Sequence, residues 1–351
     1  MTPEFFAAVP QMRDYLDETQ VYLPYVMHFQ RPNVRRPAFS TDAQGFRRTL
    51  RANGTFVSLE EFNALPPDAR PSALIGNSTA FGVGATSDER AIASVLNRIG
   101  PGTWFNFAGR TLNPLQEMLA FLLFCRVEVE TAVIMSGINL LDMSYRFASP
   151  AQESVPPFYL ERLSLARFGH DPEQGIRGWL ADRWRRMRGA VTADPFVDSG
   201  LLEEINRGLG DPEALVASTG NPARALAHFR HVLDLWDGLR PRRVRSLTFA
   251  LQPVPEWFGR PYSEKERRLT EISESHRPAS WGRVRDALRE RSLAFKHEIL
   301  EACRARGIAV TDLNEEPRLL ALDWVFIDRY HLTDEAQHVV AAALAAAHVP
   351  S

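Results

Sequence analysis

Ala73-Leu-Ile-Gly-Asn-Ser-Thr-Ala-Phe-Gly-Val-Gly84 is the stretch on which the reading of this chain turns. It opens with a short apolar run that closes at Gly76, and a small polar pair, Asn77-Ser78, precedes Gly82 and Gly84. An apolar run of this length, closed by turn residues, is the pattern of a strand buried on both faces in a parallel sheet. Ser78 would then stand just past the carboxyl end of the strand, the edge at which open α/β sheets place their sites. Taken alone, the segment also reads as a glycine-rich turn that contains a serine. Helical residues are expected to follow from about Asp88.

Working outward, Ser72 to Gly76 is one of five such runs, the others being Trp104 to Phe107, Ala132 to Ser136, Ser246 to Gln252 and Ile308 to Leu313. Most are followed by a helical pattern, which predicts a parallel sheet with helices on both faces. The first three recur at intervals of about 30 residues, but about 110 separate the third from the fourth, far beyond an ordinary connection. That excess predicts a helical insertion over 150–240, with three-and-four apolar spacing in Leu160-Glu-Arg-Leu-Ser-Leu165 and in Ala223 to Trp236, closing at Pro241. Residues 1–70, rich in Arg, Pro and aromatic side chains, read as an irregular wrap with a helix near each end. The sheet domain proper is then 71–149 together with 241–351.

Composition narrows the classes of function. The 351 residues are 45% hydrophobic and 24% charged, which excludes a disordered or fibrous chain. Forty-one basic against 43 acidic side chains leave a net charge of -2, so no global field recruits nucleic acid or an anionic membrane. The two cysteines, Cys125 in an apolar run and Cys303 in a helical pattern, read as packed free thiols. With no basic leader and no long apolar stretch, the expectation is a cytoplasmic protein with no membrane partner.

At the far end, Asp328-Arg-Tyr-His331 precedes Leu-Thr-Asp-Glu-Ala-Gln337, in which Thr333 can cap a helix and Asp334 and Glu335 suit its first turn. An Asp three residues before a His in such a turn can accept from imidazole Nδ1 and leave Nε2 free to take a proton from a hydroxyl. An Asp-x-x-His is common by itself, and taken singly a surface histidine near a helix start is the better explanation of it.

Taken in order, four blocks resemble the SGNH hydrolase superfamily, the GDSL-type esterases, lipases and acyltransferases. They are Gly76-Asn77-Ser78, with Asn where the family usually has Asp; Gly109 in Asn106-Phe-Ala-Gly-Arg-Thr111; Gly137-Ile-Asn139; and Asp328-x-x-His331. Leu251-Gln-Pro-Val-Pro255, ending the fourth run, has the look of the same fold. The resemblance implies a three-layer α/β/α sandwich with a five-stranded parallel sheet of flavodoxin-like order 2-1-3-4-5. It implies Ser78 as nucleophile, His331 as base, Asp328 as its orienting carboxylate, and an oxyanion hole from the Ser78 and Gly109 N–H groups and the Asn139 amide. The implied activity is an esterase that removes an acyl group, acetyl above all, from a carbohydrate or small ester without metal or organic cofactor. An O-acyltransferase to a glycan and an inactive binding protein of the same fold stay open. For Asn139 an amide bridging two loops, and for Gly109 a plain turn glycine, are the alternatives.

Other clusters read as structure. His228, His231 and Asp234 share a helical spacing that suits a solvated stripe more than a metal site, and Arg183, Arg185, Arg186 and Arg188 with Trp179 and Trp184 read as a solvated amphipathic face.

Overall fold

The computed structural model describes residues 2–17, 20–146, 156, 222–275 and 280–347. Five parallel strands form its central sheet: β5 (Pro71–Gly76), β6 (Thr103–Asn106), β7 (Val129–Ser136), β8 (Val244–Leu251) and β9 (Ala309–Asp312), in the order β6-β5-β7-β8-β9. This is the expected α/β architecture with strand order 2-1-3-4-5. β7 begins at Val129, earlier than the apolar run at Ala132, because its first residues alternate with Glu130 before the strand becomes buried on both faces.

Alternate residues of the sheet feed two cores. Ala73, Ile75, Ala132, Ile134 and Phe249 pack with α6 (Pro114–Phe124), α7 (Ile138–Arg146), α8 (Pro222–Arg243) and α10 (Ser280–Arg304). Leu74, Val133, Met135 and Ala250 pack on the opposite face with α5 (Ile92–Ile99), α9 (Glu264–Glu274), α11 (Pro317–Leu320) and α12 (Asp334–Ala347). The period of two along each strand thus divides its apolar side chains between the two helical layers.

The first 70 residues have helices near both ends, but the stretch between them is not wholly irregular. Besides the short helices α1 (Pro3–Ala8), α2 (Met12–Asp17) and α3 (Leu59–Asn63), they hold two antiparallel hairpins, β1 (Gln20–Leu23) with β2 (Met27–Gln30) and β3 (Thr49–Leu50) with β4 (Phe56–Val57). Strands of two to four residues are too short to set up a readable alternation. Pro241 does not close the helix before the fourth strand either: α8 runs through it to Arg243 and passes straight into β8. A proline in the last turn forfeits one hydrogen bond there and leaves the rest of the helix intact. Most of the expected insertion, including Trp179, Trp184 and the four arginines, lies outside the described residues. In the part that is described, Asp234 pairs with Arg306 at 2.7 Å. No described helix is long and apolar enough to cross a membrane, and both cysteines are buried and unpaired.

Arg47 fastens this wrap to the sheet domain. Its side chain is fully buried, and it donates to Asp88 Oδ1 (3.0 Å), the Tyr15 hydroxyl (3.0 Å) and the carbonyls of Ala38 (2.8 Å), Gly82 (2.7 Å) and Ser87 (3.0 Å). A guanidinium presents five donors in a rigid fork, and here they clamp the loop that follows Ser78. Removing it takes the counter-charge from Asp88 and one donor from each of three carbonyls, and empties a fully buried volume, so Arg47→Ala is expected to cost about 3–5 kcal/mol. The midpoint of urea unfolding measures this. A loss below about 1 kcal/mol would show that water reaches those carbonyls.

Candidate active site

β5 delivers the first component. Gly76, at its end, has φ +152, and a Cβ there would lie 2.1 Å from the Met135 carbonyl of β7, so only glycine lets the strands close at this point. Asn77 then caps the single helical turn Ser78–Phe81 (α4), its Oδ1 accepting from the Thr79 N–H at 3.0 Å. Ser78 is the first residue of that turn, where a backbone N–H has no acceptor within the helix.

The C-terminal segment delivers the second. Thr333 caps α12, its hydroxyl accepting from the Ala336 N–H at 3.2 Å, and the turn before it holds Asp328 and His331. Asp328 is buried, and its Oδ1 accepts from the N–H groups of Tyr330 and His331, each at 2.9 Å. Its Oδ2 lies 2.7 Å from His331 Nδ1, and His331 Nε2 lies 2.9 Å from Ser78 Oγ. Burial alone would raise the Asp328 pKa, but the His331 charge, its ring hydrogen bond and the two N–H groups outweigh it and hold the carboxyl below its ordinary range. An ionised carboxylate only accepts, so Nδ1 donates to it, and in the neutral imidazole that tautomer leaves the Nε2 lone pair facing the Ser78 hydroxyl. Side chains from two segments about 250 residues apart thus form one unbroken hydrogen-bond chain.

The other two expected site residues behave differently. Asn139, in the first turn of α7, donates from Nδ2 to the Leu112 carbonyl at 2.9 Å, which is the loop-bridging role; its second Nδ2 hydrogen is not used in that bond. Gly109 departs from expectation. Its N–H donates to the Gly76 carbonyl at 3.0 Å, continuing the β5–β6 ladder past the strand end beside the bond from Phe107 N–H to Leu74. A donor engaged in this ladder is not available to an oxyanion unless the loop opens, so Gly109 serves here to join the two strand ends.

The loop after Gly109 is braced by the N-terminal hairpin. Gln20 Nε2 donates to the Arg110 carbonyl (3.0 Å), His28 Nε2 lies 2.7 Å from Thr111 Oγ1, and Gln116 Nε2 donates to the Val26 carbonyl (2.6 Å). These contacts hold Thr111 at φ +61, a conformation that disfavours a β-branched residue. The sequence offered no signal for them, because each joins segments about 90 residues apart.

Glu117 is a titratable neighbour of this region. It is buried in α6 and accepts from the Ser136 hydroxyl at 2.8 Å, directly before Gly137. Burial pushes its pKa up to about 8, which the Ser136 hydrogen bond offsets only in part. The folded state therefore holds a proton that the unfolded chain releases above its ordinary carboxyl pKa. This contribution to stability is fully present below about pH 4.5 and falls by roughly 1.4 kcal/mol per unit until the pH passes about 8. Glu117→Gln, which keeps the shape without the charge, is expected to remove that slope and to melt above the parent at pH 8. Parallel melting curves from pH 5 to 9 would count against a protonated Glu117.

A cavity of about 410 Å³ lies beside Arg329, with Glu256, Tyr262, Thr270, Glu274 and Arg285 among its lining, and it includes neither Ser78 nor His331. Among the described residues no three His, Cys, Asp or Glu side chains group as metal ligands.

No family model and no curated protein matches this sequence. Among solved structures the chain is similar to an extracellular lipase from Streptomyces rimosus, with 13% identity over 79% of this chain and 98% of that one, at a TM-score of 0.41.

Proposed function

We propose that this protein is a serine hydrolase that cleaves ester bonds through an acyl-serine intermediate. The observation that carries the reading is the continuous chain from Asp328 through His331 to Ser78, at 2.7 and 2.9 Å. In the first half-reaction Ser78 Oγ attacks the ester carbonyl while His331 Nε2 takes the hydroxyl proton, and Asp328 stabilises the imidazolium. The carbonyl oxygen becomes an oxyanion, for which the donors are the Ser78 N–H and the second Nδ2 hydrogen of Asn139. When the tetrahedral intermediate collapses, the C–O bond to the alcohol breaks and His331 returns the proton to the departing oxygen. Water then attacks the acyl-serine, His331 again taking its proton, and the carboxylic acid leaves as Ser78 is restored.

An acetyl or other acyl group on a carbohydrate or small molecule is the substrate class proposed, as the resemblance of the four sequence blocks implies. Transfer of the acyl group to a sugar hydroxyl uses the same first half-reaction, and product analysis with and without an acceptor separates the two. The direct test is intact mass after incubation with a fluorophosphonate, followed by peptide mapping. One adduct on Ser78 is the expected result, and an unmodified protein would sink the proposal.

Asn139→Ala is expected to lower kcat by about a hundredfold or more with a much smaller change in KM, the effect of one lost oxyanion donor. A variant that melts lower but turns over at the parent rate would assign Asn139 to the Leu112 bridge alone.

A further inference from the structure

Ser78 and His331 stand on segments 253 residues apart, and their contact needs the serine turn and the histidine loop to keep a fixed separation. Beneath that contact runs a second, buried connection between the same two segments. Asn77 Nδ2 donates to Gln252 Oε1 (2.5 Å), Gln252 Nε2 donates to Thr79 Oγ1 (3.2 Å), and Thr79 Oγ1 donates to the Tyr330 carbonyl (3.1 Å), in the residue before His331. Asn77, Thr79 and Gln252 are at most 1% exposed, so water does not substitute for any of these bonds. Gln252 is itself immobilised: its N–H donates to the Ser136 carbonyl (3.1 Å), and its carbonyl accepts from Asn314 Nδ2 (3.0 Å).

The polarity of this relay is set from both ends. The Tyr330 carbonyl can only accept, so the Thr79 hydroxyl donates there and must itself accept from Gln252. The amide nitrogen of Gln252 therefore faces Thr79, its oxygen faces position 77, and position 77 has to supply a donor. At the other side of Asn77, the Thr79 N–H can only donate, so position 77 has to supply an acceptor as well. A carboxamide meets both demands, whereas a carboxylate meets one and sets its oxygen against Gln252 Oε1.

Resting on the proposed hydrolase reading, we infer that Thr79 and Gln252 are positioning residues that hold Ser78 within reach of His331, and that the direction of their relay requires asparagine at position 77. An aspartate at 77 would turn the Gln252 amide around; Thr79 would then donate to Gln252 and release the Tyr330 carbonyl. Loosening the histidine loop lengthens the Ser78–His331 contact, and a misplacement of about 1 Å costs on the order of a hundredfold in rate.

The experiment compares Thr79→Val, Thr79→Ser, Gln252→Met and Asn77→Asp by two readouts. One is the rate of Ser78 labelling by a fluorophosphonate, with kcat and KM on a short-chain activated ester. The other is the imidazole nitrogen shifts of His331 in the unreacted protein, which report its hydrogen bond to Ser78 whether or not esters are cleaved. Thr79→Val, Gln252→Met and Asn77→Asp should each lower kcat and labelling by about 10–100-fold with KM nearly unchanged and the Nε2 signal shifted. Thr79→Ser, which keeps the hydroxyl, should restore both readouts. Asn77→Asp combined with Thr79→Val should be no worse than either alone, because both break the same link. Parent-like labelling and Nε2 shift in folded Thr79→Val or Asn77→Asp would overturn the relay and leave the hydrolase reading standing. If the parent is never labelled, the hydrolase reading fails, and the nitrogen shifts alone decide whether the relay holds the pair.

Discussion

Ser78→Ala is expected to lower ester turnover by about 10⁴-fold or more and to abolish fluorophosphonate labelling, while the folded state keeps its stability within about 1 kcal/mol. The size of the loss follows from the role. Without Oγ there is no covalent intermediate, and only a water activated by His331 could attack, with no fixed position relative to the carbonyl. The fold should survive because the bond lost is to a half-buried histidine ring, while the Ser78 carbonyl still accepts from the Gly82 and Val83 N–H groups that close the turn. Turnover of an activated ester, labelling and thermal melting are measured on one preparation. Labelling equal to the parent would move the nucleophile elsewhere.

His331→Ala and Asp328→Ala should each lower kcat by about 10³–10⁴-fold or more, and the double variant should be little worse than His331→Ala. Asp328 reaches Ser78 only through the imidazole, at 2.7 Å from Nδ1, so once the ring is gone the carboxylate has nothing to orient. Asp328→Asn tests the proton assignment more finely. Its amide can donate to Nδ1, which would move the ring proton to Nε2 and leave no lone pair facing the Ser78 hydroxyl. A large loss with unchanged stability is expected. Multiplicative losses in the double variant would mean that the two residues act separately. Asp328 also accepts from two backbone N–H groups, so its removal should cost stability that His331→Ala does not.

By itself the sequence determined the elements whose causes are local. Ala73 to Ile75 and the four other apolar runs read as strands because a short continuous apolar run closed by turn residues has the pattern of a sheet core, and each appears in the central sheet, although the edge strand β9 is exposed at Ala309 and only half-buried beyond it rather than buried. Asp328 and His331 were legible as a pair because three residues of a turn bring carboxylate to imidazole, and Thr333 announced the helix that follows. What spans the sequence was decided only by tertiary structure. The approach of His331 to Ser78 depends on parallel strands ending along one edge, a property of the whole sheet. The N–H of Gly109 looked available in a turn but completes a ladder with Gly76, since hydrogen-bond partners in a parallel sheet come from distant segments. Arg47, in a stretch read as irregular, and Thr79 and Gln252, beside motifs that drew attention to other residues, gained their roles the same way. A buried polar group must find partners wherever folding brings them, and for these three the partners lie up to 251 residues away.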